Sequence, residues 1–471
     1  YEDRIRGDRA ENLETAIAAY DRALEVFTRE DLPQDWAKLQ MNLGSAYGNR
    51  IRGERAENLE TAIAAYDRAL EVFTPEDFPQ DWANAQMNLG NAYRNRIRGE
   101  RAENLETATT NHENALQVFT RKDFPKDWAG TQSNLGLVYI DRLQGDKSEN
   151  IEKAIHAFSL CLGVYTQESF PEDWAKIQHN LADAYLKRVK ADTTDNIEQA
   201  ISLYNQAAEV FTKSAYPYKW FRNQAHLASA YLARAELYDS ESEKIENLNT
   251  AISLLKEVLE TADPSAPTPD YIDAQFHLGT AFRQRHNITK GAADLRAAGT
   301  AYETALNAIS PEHYDREKMW QAIPETQTIL GSRLVRDGEW HKGLELLQAA
   351  VKELAPQSQR NPRAYANALY QIGRTYEIMS NWKDARIYYR DALRLYEHID
   401  DALGMANCHQ GLGAVLGCQG SFSKCMNELS TARDFYTKLG LTEKLEEVDG
   451  LRRAAETGQQ ELDSLTWSIA R

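Results

Sequence analysis

Cysteine is scarce. The four in 471 residues, Cys161, Cys408, Cys418 and Cys425, match neither a disulfide framework nor a CxxC metal spacing. They read as small buried residues with no metal or redox role. Long apolar runs are also missing: nothing approaches the roughly 18–20 residues that cross a bilayer. The opening Tyr1-Glu2-Asp3-Arg4 has none of the apolar character of a signal peptide. No membrane partner is expected, and a cytoplasmic setting is. Positive charge is in deficit, with 54 Lys and Arg against 71 Asp and Glu and a net charge of −17. That field repels phosphate backbones and so excludes nucleic acid as a partner. Catalytic signatures are absent as well. There is no GxSxG or HExxH, and the ten histidines have no cysteine or carboxylate partner at a recognisable spacing. Gly411-Leu412-Gly413 with Gly417 has the wrong spacing for a dinucleotide loop, and Gly145-Asp146-Lys147-Ser148 lacks the upstream glycine of a P-loop. Arg6-Gly7-Asp8 is a coincidental adhesion tripeptide, since the same loop reads Arg-Gly-Glu at 52–54 and 98–100. No enzyme activity, cofactor or metal is expected.

What is present is repetition. At 42% hydrophobic and 27% charged residues the chain has enough apolar material to fold, yet it is too long for one core. The segment Asn12–Thr28, NLETAIAAYDRALEVFT, recurs letter for letter at Asn58–Thr74, with copies from Asn104, Asn150, Asn196 and Asn247. The first five starts are 46 residues apart. Between them lies a second element, DWAKLQMNLGSAYGNRI from Asp35, with copies from Asp81, Asp127 and Asp173. A fixed period indicates a stack of small units.

Both elements are helical by periodicity. Leu59, Ala62, Ile63, Tyr66, Ala69, Leu70 and Phe73 recur at three- and four-residue steps and form one stripe. The spacing suggests N-caps at Asp35, Asp81, Asp127 and Asp173 for one helix and at Asn12, Asn58 and Asn104 for the other. Gly7, Gly53, Gly99 and Gly145 read as C-terminal stops. Pro33, Pro79, Pro125 and Pro171 read as breaks in the connection. Gly44, Gly90 and Gly136, then Ala182 and Ala228, form a column of small residues that lets helices approach closely. Three residues on stand Tyr47, Tyr93, Tyr139, Tyr185 and Tyr231.

This leucine-glycine-x-x-tyrosine run, with alanine-x-x-x-tyrosine-x-x-alanine as in Ala62, Tyr66 and Ala69, resembles the tetratricopeptide repeat. The usual repeat has about 34 residues; here the RGERAEN and EDFPQDW insertions lengthen it. The resemblance implies an all-α, right-handed superhelical solenoid of about ten antiparallel helix pairs. Regular 46-residue repeats would occupy 1–240, with the first truncated. Irregular longer repeats would fill 241–360, and 40-residue repeats with a capping helix around Thr442–Ala455 would fill 361–456. A polar tail would occupy 457–471. Tyr1–Arg6 match only the end of a first helix, so upstream sequence is expected.

The resemblance also implies a concave groove lined by the first helix of each pair. The residue before the Leu-Gly pair is a groove position in that family. Here it reads Asn42, Asn88, Asn134, Asn180, His226 and His277. On the same stripe stand Asn84, Asn91 and Asn95, and also Lys38 and Lys176. An amide ladder of this kind, similar to that of kinesin-light-chain adaptors, suits the backbone of an extended peptide. The alternative is that the asparagines bond the adjacent repeat and tie the stack together. A second column, Gln40, Gln86, Gln132, Gln178, Gln224, Gln275 and Gln327, reads as buried structural hydrogen bonding. Trp36, Trp82, Trp128, Trp174 and Trp220 read as plugs in the seams between units.

Three functional readings follow. The first is a non-enzymatic scaffold holding a protein or peptide ligand in the groove. The second is the ligand-sensing arm of a larger signalling or defence protein, with an effector domain or subunit as partner. For that reading, the long repeats resemble the arrays beside CHAT-type peptidases and nucleotide-driven modules of cyanobacteria. The third is a self-assembling structural solenoid.

Overall fold

Each 46-residue period folds as two helices because each has one apolar stripe and no way to bury it alone. The structure, a computed structural model, describes residues 8–190, 192–265, 267–308 and 316–469. The chain forms two units, Tyr1–Leu237 and Tyr238–Arg471. Unit one contains α1 (Arg9–Leu24), α2 (Pro33–Asn49), α3 (Arg55–Leu70), α4 (Pro79–Asn95), α5 (Arg101–Val118), α6 (Pro125–Asp141), α7 (Lys147–Cys161), α8 (Pro171–Lys187), α9 (Thr193–Val210) and α10 (Pro217–Leu237). Unit two contains α11 (Glu241–Leu259), α12 (Pro269–Thr289), α13 (Ala292–Ala308), α14 (Arg316–Arg336), α15 (Trp340–Leu354), α16 (Pro362–Ile378), α17 (Trp382–His398), α18 (Ala402–Cys418), α19 (Phe422–Leu439) and α20 (Thr442–Ile469). The described residues contain no strand, and the tightest packing joins consecutive helices, α2 with α3, α4 with α5, and so on. The fold is all-α and built of tetratricopeptide-like helix pairs. Tyr1–Arg6 and Gly7, and with them the expected truncated first helix and most of the Arg6-Gly7-Asp8 tripeptide, lie outside the described residues.

The two helices of a pair meet at the small-residue column. A Cβ built on Gly44 would lie 2.6 Å from Tyr66 Cε1, on Gly90 2.8 Å from His112 Cε1, and on Gly136 2.7 Å from Phe158 Cε1. Each ring therefore packs directly on the facing backbone. Seams between repeats are closed by the tryptophans. Trp82 packs with Ala37, Ala69 and Phe73 on one side and with Ala83, Ala115 and Phe119 on the other.

Helix ends differ from expectation in an instructive way. Pro33, Pro79, Pro125 and Pro171 open their helices at the first position, where the missing N–H costs nothing and φ is already helical. Leu32, Phe78, Phe124 and Phe170 take the N-cap place, and the aspartates expected there sit in the first turn, where their charge opposes the helix dipole. The asparagine column does not cap either. The helix-favouring Arg-Ala-Glu segment starts the second helix a turn earlier, with Glu54 and Glu100 as N-caps of α3 and α5. Asn58 and Asn104 are instead buried, and their amides donate to the carbonyls of Arg52 and Arg98 at 2.9 and 2.8 Å. They fasten the insertion to its helix. Gly53, Gly99 and Gly145 have φ of 78–79°, as expected of left-handed stops.

An arginine at the end of each of α2, α4, α6 and α8 ties it to the preceding odd-numbered helix. Arg50 donates to both oxygens of Glu14 at 2.8 and 2.7 Å, and the pairs Arg96–Glu60, Arg142–Glu106 and Arg188–Glu152 repeat the fork. These bonds hold each glutamate below its ordinary pKa.

Two further expectations need correction. Cys161, Cys408 and Cys425 are buried, but Cys418, the last residue of α18, is exposed. The last helix runs past Ala455 to Ile469. Gly458 does not stop it, because its bare backbone is where Phe422 of α19 packs.

The glycine contact predicts that Gly136→Val lowers stability by about 1–3 kcal/mol through overpacking against Phe158. Gly136→Ala should cost far less, because Ala182 and Ala228 occupy the same column. A Gly136→Val variant that melts at the parent's temperature would refute the contact's importance. His112 stands where other repeats have Tyr66, Phe158 and Tyr204; it is fully buried and neither ring nitrogen has a partner. Burial, with Arg94 nearby, pushes its pKa down from 6.5 to about 4. The unfolded chain binds the extra proton between those values, so stability is full above pH 6.5 and falls as pH drops toward 4. His112→Phe should therefore raise the melting temperature at neutral pH and flatten the decline over that window, as thermal melts at stepped pH will register.

Candidate functional site

The even-numbered helices of unit one do more than pair with their odd neighbours. α2, α4, α6, α8 and α10 also touch one another in succession, while the odd-numbered helices are spread further apart. The crowded layer is the inner, concave one. Its helices are those of the Leu-Gly element.

On α4 that stripe is Asn84, Asn88, Asn91 and Asn95, a three- and four-residue succession of primary amides. Asn88, Asn91 and Asn95 line a cleft of about 190 Å³ with Ser45 and Asn49 of α2, Arg55 of α3 and the ring of Tyr66. Arg55 closes one end, donating to the Gly48 carbonyl at 2.6 Å. Of the ladder itself, Asn42 is exposed, Asn88 and Asn134 are half-buried, and Asn180 is buried. Among the described residues the side chains of Asn42, Asn84, Asn88, Asn91, Asn95 and Asn134 make no hydrogen bond within the protein. Asn180 keeps its amide nitrogen buried without a partner.

The charged neighbours differ from one another. Lys38 is exposed on α2. Lys176 on α8 touches solvent too, yet its ammonium is held below the ordinary lysine pKa, chiefly by desolvation, with Lys219 and Arg94 adding to the effect against Asp173 and Glu172. A charge on a concave face is surrounded by protein mass without being covered. Arg94 belongs to α4, two inner helices away.

The two histidines of the ladder are placed differently. His226 on α10 is half-buried, with Nδ1 2.8 Å from Asp183 Oδ1 on α8. His277 on α12 lies in unit two, its ring beside Phe276. The reading that no histidine has a carboxylate partner is thus corrected. Asp183 faces both His226 and His179, and His179 went unnoticed although it stands four residues before Asp183 on one helix face.

The glutamine column behaves as a structural one where it bonds: Gln178 donates to Gln206 of α9 at 2.8 Å, and Gln86 accepts from Asn114 of α5 at 3.5 Å. Unit two has its own inner cleft of about 420 Å³ between α14, α16 and α18, lined by Glu325, Asn361, Asn367, Asp401 and Asn407. Gly411, Gly413 and Gly417 lie inside α18, where the first two admit Tyr389 and Leu429. Among the described residues no helix is long and apolar enough to cross a membrane.

No protein-family model and no curated protein matches this sequence. Solved structures do. A signal-transduction ATPase with numerous domains and a tetratricopeptide repeat sensor, from Pyrococcus horikoshii, is 14% identical over 98% of this chain and 73% of its own, with a TM-score of 0.39. The apo quorum sensor NprR from B. thuringiensis is 13% identical over 96% of this chain and 100% of its own, at 0.38. Nearly identical TPR-like repeats of a Podosopora anserina putative kinesin light chain are 17% identical over 48% of this chain and 95% of that one, at 0.30. Scores this low carry no argument about function, and the repeat fold stands on the chain's own helix pairing.

Proposed function

We propose that the chain is a non-enzymatic interaction scaffold that holds an extended protein or peptide segment along the inner face of unit one. One observation carries this reading: the amides of Asn42, Asn84, Asn88, Asn91, Asn95 and Asn134 have no hydrogen-bond partner among the described residues. Asparagines with a structural role would be bonded within the protein, as Asn58 and Asn104 are to their insertions. Unspent amides at helical spacing offer alternating donors and acceptors, which is what a peptide backbone needs, whatever its side chains. The cleft beside α4 gives such a segment a place to enter between α2 and α4. Lys38 and Lys176 at the edges of the stripe favour acidic side chains locally, while the acidic surface at large favours basic ones.

A displayed library of random extended peptides, selected on the immobilised chain, tests this. Selected peptides should lose binding by at least tenfold to the double variant Asn88→Ala with Asn134→Ala, whose helix content and melting temperature should stay within about 1–2 °C of the parent. Peptides that bind both proteins equally would move the site elsewhere, and a double variant that melts many degrees lower would assign the asparagines to the stack.

A further inference from the structure

Toward the end of unit one the inner face changes chemistry. His179 and Asp183 share one face of α8, four residues apart, and His226 faces them from α10. One ligating atom from each lies within 4.8 Å of the others. Nothing in the amide ladder uses them.

The hydrogen bonding around them fixes which atoms are available. Asn223 donates its amide to the Tyr204 carbonyl at 2.9 Å, which turns its Oδ1 toward His179 Nδ1, 3.0 Å away. Nδ1 must then carry the proton, and Nε2 keeps a lone pair. That Nε2 is buried with no hydrogen-bond partner, and it looks at Asp183 Oδ2 across 3.7 Å. Burial holds His179 neutral, with a pKa pushed down to about 4. Burial also opposes the charge on Asp183. The hydrogen bonds from His226 and Tyr204 work against it and hold the carboxyl below its usual range. A buried, unpartnered imidazole nitrogen thus faces a half-buried carboxylate oxygen with no hydrogen-bond donor between them, an arrangement that suits a cation.

We propose that His179, Asp183 and His226 form a binding site for a divalent transition-metal ion of the zinc class. The donor set is two imidazoles and one carboxylate, which suits zinc and its neighbours better than calcium or magnesium. The atoms are His179 Nε2, Asp183 Oδ2 and His226 Nδ1. Zinc–ligand distances of about 2.0–2.2 Å require the three to close in by roughly an ångström. His226 moves its proton to Nε2 and gives up its bond to Asp183 Oδ1; its side chain is 35% exposed, against 7% for His179 and 17% for Asp183. The exposed member marks the entry side, and a fourth position there stays open to water. The supporting shell is already in place: Asn223 holds the tautomer of His179, and the Tyr204 hydroxyl donates to Asp183 Oδ1. Arg222, a cation acting on both His179 and Tyr204, limits the affinity.

The test is titration of the chelator-stripped full chain with Zn²⁺ alone, followed by calorimetry and native mass spectrometry. One ion per chain should bind. Asp183→Asn and His226→Gln should each weaken it at least tenfold, and Asn223→Ala by about 10- to 100-fold. Arg222→Ala should tighten it, and His156→Gln, an exposed histidine on α7, should leave it unchanged. Absence of a stoichiometric ion, or equal binding by the Asp183 and His226 variants, overturns the site. Should those variants fail to fold, X-ray absorption of the zinc-loaded wild-type chain decides: two imidazole nitrogens in the coordination shell are expected, and fewer than two refutes it.

Discussion

Most helix pairs in this architecture are spaced by an aromatic ring packed directly on a stretch of helix backbone that has no side chain. Tyr66 on Gly44, Phe158 on Gly136, Tyr302 on Gly279 and Tyr389 on Gly373 repeat that contact in both units. It sets the distance between paired helices, and so brings the alanines of the neighbouring turns into van der Waals reach. Ala62, Ala108, Ala154 and Ala200 are completely buried as a result. Where the ring is an imidazole, as at His112, the geometry survives and the chemistry suffers, because two nitrogen atoms enter an apolar seam.

The insertions that lengthen the repeat are held by their own fastenings. A buried asparagine donates to the carbonyl just before each glycine stop, and an arginine forks onto a glutamate of the preceding outer helix while lying against its own tyrosine, as Arg50 does on Tyr47 and Arg96 on Tyr93. These pairs are partly solvated, so each contributes modestly. They recur at the same place in four successive repeats.

Along that face the repeats have diverged where nothing structural constrains them. Where α4 has Asn88 and Asn91, α10 has His226 and α8 has Asp183 at the corresponding register, and His179 stands one residue before the column, where α4 has Met87. Unit one thus carries both a run of asparagines on α4 and a cluster of two histidines and an aspartate on α8 and α10.

Helix content, the two-helix period, the glycine stops and the small-residue column were legible in the sequence. Each is a local property or a strict repeat, and periodicity reports local geometry directly. The exact helix starts were not, because a proline at the first position and an aspartate two residues later serve a helix as well as a capping aspartate does. Only the tertiary structure decided that Asn58 fastens a loop while Asn88 stays unbonded, since both are asparagines on amphipathic helices and differ only in what packs beside them. It alone brought His226 to Asp183, across 43 residues of chain, and it alone oriented Asn223 so that His179 keeps a lone pair. Contacts between helices depend on how whole repeats stack, and no spacing within one helix encodes them.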